Sequence, residues 1–145
     1  MAYRVVDTSE WTAAQLDPYW PEIFAAMMKL KAKLPEDASY CAMLVTWARL
    51  QRKLWLVLDD DRFVAFAMTE IETMAATGKK AVTLKDLAGY GALKAAKEIC
   101  ETMEAYAASE GASIGQLVGR DGWRGFAKKF GYEVASVTLR KVVER

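Results

Sequence analysis

The chain contains no histidine. That absence removes the commonest general base, most metal sites, and the Ser-His and Cys-His nucleophile systems. Any catalysis has to use carboxylates, tyrosine, lysine, water or backbone groups. Cysteine is scarce as well. Cys41 and Cys100 are the only two, and both sit in helical patterns among apolar neighbours. Buried free thiols in a reducing compartment are expected, rather than a disulfide. Neither sign of charge is in excess: 20 Lys and Arg face 19 Asp and Glu, a net charge of +1. Bulk electrostatics therefore gives no reason to invoke nucleic acid or an acidic membrane. No apolar run approaches the ~20 residues of a membrane span. The start, Met-Ala-Tyr-Arg-Val-Val-Asp, lacks a signal peptide's apolar stretch. A protein neither secreted nor transmembrane is expected.

What is present is a globular composition, 53% hydrophobic and 27% charged. At 145 residues it predicts one domain, 1–145, with a real core. Tyr3 to Val6 reads as a short β-branched strand, followed by a helical turn at Glu10 to Leu16. Asp17-Pro18 breaks that turn, and Pro21 suits the first turn of a helix from about Trp20 to Leu34. Ile23, Phe24, Met27, Met28 and Leu30 stripe that helix, and Lys29, Lys31 and Lys33 suit the dipole at its C-terminal end. Pro35-Glu36-Asp37 opens a second helical segment, with Tyr40, Met43, Leu44, Trp47 and Leu50 at helical spacing. Arg49, Gln51, Arg52 and Lys53 read as its solvated basic end.

The period then changes to that of strands. Leu54 to Leu58 and Phe63 to Met68 flank Asp59-Asp60-Asp61-Arg62, a hairpin signature. The three aspartates read as a polar turn, since nothing nearby completes a hard-cation ligand set. The second strand continues through Glu72, and Lys80 to Leu87 gives a third. A long helix from about Ala92 to Ser109 carries Leu93, Ala96, Ile99, Cys100, Met103 and Tyr106 on one stripe, and Gly111 closes it.

The stretch from Ser113 to Tyr132 reads as strand, turn, short helix and Gly-aromatic. Ile114 to Val118 is apolar, and Asp121 is a plausible N-cap. Trp123, Phe126 and Phe130 share one helix side opposite Arg124, Lys128 and Lys129. Gly131 supplies the left-handed position after the helix. Glu133 to Val143 then alternates as a closing strand.

This order, spanning essentially the whole chain, resembles the GCN5-related N-acetyltransferase (GNAT) family. The resemblance implies a mixed α/β fold with a largely antiparallel central sheet flanked by helices. It also implies that the turn Leu87-Ala88-Gly89-Tyr90-Gly91-Ala92 presents backbone N–H groups to the pyrophosphate of acetyl-coenzyme A. Leu54-Trp55-Leu56-Val57, Thr69-Glu70, Leu87-Ala88-Gly89 and Gly119-Arg120-Asp121-Gly122-Trp123-Arg124 resemble small GNAT-like proteins of tailed bacteriophages and prophages. Two departures stand out. Ala88 takes the place of a basic residue before the glycines, and Ala127 that of the family's proton-donating tyrosine.

Those departures favour a phage protein with a degenerate acetyl-coenzyme A site, acting as a virion component or as a module binding phage or host proteins. Its place would be the host cytoplasm or the virion. The alternative is an active acetyl-coenzyme A-dependent N-acetyltransferase on an amine. In that reading Glu70 and Glu72, near the end of the central strand, assist deprotonation. The other reading makes them solvent-side residues where the strand leaves the sheet. Asp86 is a third carboxylate at the edge of the same region. Tyr90 either donates a hydrogen bond or covers the helix, and Tyr132 reads as core. Arg120 and Arg124 either bind a phosphate or carboxylate, or are exposed cations around a buried Trp123. With no cation next to the turn except Lys94, weak cofactor binding is expected, above about 100 μM.

Overall fold

Two bulges and one short parallel pairing decide the shape of the sheet. The computed structural model describes residues 2–119 and 123–143. Five strands, β1 (Tyr3–Asp7), β2 (Lys53–Asp59), β3 (Arg62–Thr73), β4 (Lys80–Gly89) and β5 (Ile114–Leu117), lie side by side in sequence order. The first four pair antiparallel and β5 runs parallel to β4. Parallel pairing needs a crossover, and it is supplied by a 3-10 turn at Ala92–Ala95 and helix α4 (Ala96–Ser109). Three further helices precede β2: α1 (Ala13–Leu16), α2 (Trp20–Lys33) and α3 (Tyr40–Ala48). The last, α5 (Arg124–Lys129), follows β5.

Local chemistry sets these boundaries. Thr12 and Gln15 form a reciprocal capping box that starts α1. The N–H groups of Asp37 and Ala38 bond back to the Leu34 carbonyl. That turn closes α2 and delays α3, which begins at Tyr40 behind a Ser39 cap rather than at Pro35 to Asp37 as expected. The aspartate triplet is a polar hairpin. Asp59 bonds Arg62 at 3.1 Å, Asp61 bonds Arg4 at 3.2 Å, and the Tyr19 hydroxyl donates to the Asp61 carbonyl at 2.8 Å. No group of metal-binding side chains occurs among the described residues.

Strand alternation sends side chains to two cores. Leu54, Leu56, Leu58, Phe66 and Met68 pack against Ile23, Met27, Leu30 and Met43 of α2 and α3. Trp55, Val57, Ala65, Ala67, Leu84 and Leu87 pack against Ala95, Ile99 and Met103. A strand covered on both faces reads as an unbroken apolar run, which is why Leu54 to Leu58 shows no polar positions. Each fully buried Leu, Met or Phe contributes about 1.5–3 kcal/mol relative to exposure. The Trp55 indole N–H donates to the buried Thr69 hydroxyl at 2.9 Å.

Several expectations fail, for local reasons. Glu133 to Val143 forms no strand, and Val137 and Leu139 are 61% and 91% exposed. A bidentate ion pair from Arg140 to Asp37, at 2.8 and 2.9 Å, ties the segment to the turn after α2. The neighbouring β5 is only four residues long, and a ladder that short contributes little to holding another strand. Cys41 is exposed rather than buried, whereas Cys100 is buried as expected, and burial pushes its thiol up to about 11. Leu93 leaves the α4 stripe because it lies in the 3-10 turn, 55% exposed. Trp123 is half-buried against the α4-side core, its ring 4.7 Å from that of Phe126. Of the tryptophans expected in the core, only Trp55 is fully buried, while Trp11, Trp20, Trp47 and Trp123 are partly so. Asp121 lies outside the described residues, as does Arg120.

Candidate active site

Strand β4 has two unlike halves. Ala81 to Leu84 pair with β3 on one side and β5 on the other. The Val118 N–H to Leu84 carbonyl bond, 3.0 Å, is the last rung towards β5. Beyond it, Lys85 to Gly89 keep β3 as neighbour while β5 pairs no further among the described residues. The change falls at a bulge. Thr69 faces Leu84 and Met68 faces Asp86, so Lys85 is the extra residue of β4. A bulge bends its strand and increases the local twist, which separates β4 from β5. The result is a wedge with its apex at Leu84 and Lys85, walled on one side by an open strand edge. Unpaired backbone groups on such an edge suit an amide-bearing ligand.

The wedge opens at the strand-to-helix turn. Gly89 ends β4 pressed against β3: a Cβ there would lie 2.1 Å from the Val64 carbonyl oxygen and 2.5 Å from Ala65 Cα. Val64 is itself the extra residue of a bulge on β3, and its carbonyl accepts the Tyr90 N–H at 2.8 Å. Gly91 has φ +76° and caps the 3-10 turn, with the Lys94 N–H on its carbonyl at 3.1 Å. The N–H groups of Ala92 and Leu93, in the first turn, have no helical acceptor by position. These groups and the left-handed Gly91 fit a diphosphate. The side chains of Leu87 and Ala88 do not take part, because Leu87 packs in the α4-side core and Ala88 in the α2–α3 core. Tyr90 is exposed. A cleft of about 560 Å³ beside the turn is lined by Tyr3, Asp59, Arg62, Tyr90, Gly91 and Lys94.

A cation other than Lys94 does reach the turn, from another element. Lys29 of α2 donates to the Gly89 carbonyl at 2.7 Å, with its Nζ 4.6 Å from the centre of the Tyr90 ring. Sequence spacing gave no signal for this, since Lys29 sat among three lysines explained by the helix dipole.

Glu70 and Glu72 stand on β3 opposite Thr83 and Ala81, just below the apex, and the Lys85 side chain reaches back to bring them together. They continue the face of Met68, and neither points freely into solvent. The Lys85 Nζ bonds Glu72 and lies 3.6 Å from Glu70. Glu72 also accepts from the Thr83 hydroxyl at 2.9 Å and the Gln116 amide at 3.3 Å. The Lys85 hydrogen bond, helped by Thr83, holds the Glu72 carboxyl below the ordinary range despite some burial. Arg52, expected at a solvated helix end, instead pairs with Asp86 at 2.8 Å, and both side chains are largely buried. Burial pushes the Asp86 carboxyl up, against the pull of Arg52 and Lys85. Lys85, which holds the two glutamates, and the turn thus lie at opposite ends of the free half of β4. A second cleft, about 460 Å³, is lined by Glu72, Gln116, Trp123, Ala127 and Tyr132 among others. Burial pushes the Tyr132 phenol up to about 12, and Ala127 offers no proton there. Arg124 is exposed at the start of α5.

No family model and no curated protein matches the sequence. Solved structures do. An aminoglycoside acetyltransferase from an uncultured soil metagenomic sample is 13% identical over 99% of this chain and 100% of its own, with a TM-score of 0.67. The glucosamine-6-phosphate N-acetyltransferase of Arabidopsis thaliana is also 13% identical over 99% and 100%, with a TM-score of 0.63. A transcriptional regulator from Bacillus halodurans C-125 is 11% identical over 98% and 100%, with a TM-score of 0.66. Such identities speak to the fold and leave activity to the site. The five-stranded, mostly antiparallel sheet flanked by helices is the fold of the GNAT acetyltransferases.

Proposed function

We propose that the protein is an acetyl-coenzyme A-dependent N-acetyltransferase acting on an amine. One observation carries this reading: the free half of β4 runs from Lys85, which holds the two glutamates, to a turn whose first N–H groups have no helical acceptor. Acetyl-coenzyme A would supply the activated acyl group. The N–H groups of Gly91, Ala92 and Leu93 would bind its diphosphate, with Lys29 adding a charge-assisted contact. The open edge of Lys85 to Gly89 would orient the arm, and Glu70 and Glu72 would accept the proton of the incoming amine.

A second reading has its own support. Ala127 provides no proton donor, and Val134, Val137, Leu139, Val142 and Val143 stand exposed along the terminal segment. Those features suit a module that keeps the fold without the chemistry and binds a phage or host protein, as a virion component would. Exposed apolar groups of this kind mark interaction surfaces.

Calorimetric titration with acetyl-coenzyme A separates the two. The enzyme reading expects micromolar binding. It also expects about a tenfold loss in Ala92→Pro, which deletes one N–H where proline is tolerated. Absence of binding in a protein with an unchanged circular dichroism spectrum favours the binding module.

A further inference from the structure

We propose that Lys85 is an acceptor amine in cis: the protein transfers an acetyl group from acetyl-coenzyme A to the Nζ of its own Lys85. The inference rests on the cofactor reading above. Its first support is position. Lys85 is the extra residue of the β4 bulge and the first residue past the last β5 rung. From Gly89, the end of β4, back to Lys85 is four residues, ~13 Å of strand at ~3.3 Å each, and the bend through Tyr90 and Gly91 adds a little more. The arm of coenzyme A from diphosphate phosphorus to sulfur is thirteen bonds, roughly 16 Å when extended. A diphosphate at the turn therefore sets the thioester at the apex, beside Lys85.

The second support is the setting of the nitrogen. The Lys85 Nζ already lies between two carboxylates, Glu70 and Glu72. Both carboxylates are within reach of its protons, so either can accept one as the nitrogen attacks. Its side chain is 24% exposed, partly shielded yet open to a ligand. Two other lysines reach elsewhere: Lys29 to the Gly89 carbonyl at the turn, and Lys53 to Asp7.

The step balances. The ammonium passes one proton to the Glu70–Glu72 pair and frees its lone pair. The nitrogen bonds to the acyl carbon and the carbon–sulfur bond breaks. A second proton from the nitrogen ends on the sulfur, so coenzyme A leaves as the thiol and Lys85 becomes a neutral amide. Once the pair passes its proton to solvent, Glu70 and Glu72 lack their internal counter-ion and face the wedge as charge, ready for a second, cationic amine.

The test incubates the full chain with acetyl-coenzyme A, digests it with a protease that does not cut at lysine, and reads peptide masses, with calorimetry in parallel. One acetyl group should appear on Lys85 at a rate independent of protein concentration. It should be about tenfold or more faster than on Lys97, a 70% exposed control for chemical acetylation. Lys85→Arg should abolish the modification while keeping the binding heat, and Glu70→Gln with Glu72→Gln should slow it about tenfold or more. Binding without modification, or modification no faster than at Lys97, overturns the proposal and leaves the cofactor reading intact. Absence of both binding and modification overturns the two together.

Discussion

The two halves of β4 are one strand in covalent terms and two different structures in physical ones. Ala81 to Leu84 are buried, paired on both sides, and closed to ligands. Lys85 to Gly89 are half-open, carry two charged residues and a glycine, and have β3 as their one paired strand among the described residues. The boundary is one unmatched residue. A strand can thus serve as core over four residues and as a binding edge over the next five, provided a bulge re-aims it.

Substitutions along the strand can break that comparison. The largest effect is expected at Gly89, where any side chain meets the β3 backbone. Gly89→Val should destabilise by more than about 4 kcal/mol by chemical denaturation, in the exceptional range for single changes. In the paired half, Leu84→Ala opens a cavity in the α4-side core and should cost about 2–4 kcal/mol, with cofactor affinity unchanged per folded molecule. The free half should behave the other way. Lys29→Met is expected to lower acetyl-coenzyme A affinity by about tenfold, roughly 1.4 kcal/mol, with little change in the denaturation midpoint.

The smallest effect is a pH dependence at the apex. The folded-state pKa of Glu72 is depressed by its Lys85 hydrogen bond. Its contribution is therefore present above the ordinary glutamate value of 4.5 and lost as pH falls from there through the depressed value. Glu72→Gln should flatten the acid side of the stability profile by less than about 1 kcal/mol, since the group is partly screened. An unchanged profile would mean that the Lys85–Glu72 pair is not formed in solution.

Much of the fold was readable from residue patterns, because long periodic segments report their own burial. In the stripe Ile23, Phe24, Met27, Met28 and Leu30, the first, third and fifth pack as the period implies while Phe24 and Met28 are exposed, and the run Leu54 to Leu58 is buried on both faces. The turn at Tyr90 and Gly91 was readable for a similar reason, since Gly-Tyr-Gly lies between a strand period and a helical one. What was not readable depends on distant partners. Lys29 and Arg52 read as helix-end cations and Lys85 drew no reading of its own, and only tertiary packing ties them to Gly89, Asp86 and the Glu70–Glu72 pair. The terminal segment fails in the opposite sense. Its alternation is a strand's, but alternation alone supplies no neighbour to pair with. Asp86 and Glu72 show why a carboxylate's behaviour cannot be read from type: burial raises one and a lysine lowers the other, on the same face of one sheet.

Residue-resolved amide hydrogen exchange, with and without acetyl-coenzyme A, tests the central claim most directly. Exchange reports local opening along the strand. The amides of Ala81 to Leu84 should already be protected and change little. New protection should appear across Lys85 to Leu93, strongest at Gly91 and Ala92. Protection confined to other elements, or none anywhere at saturating cofactor, would contradict the assignment of the free half of β4 as the cofactor edge.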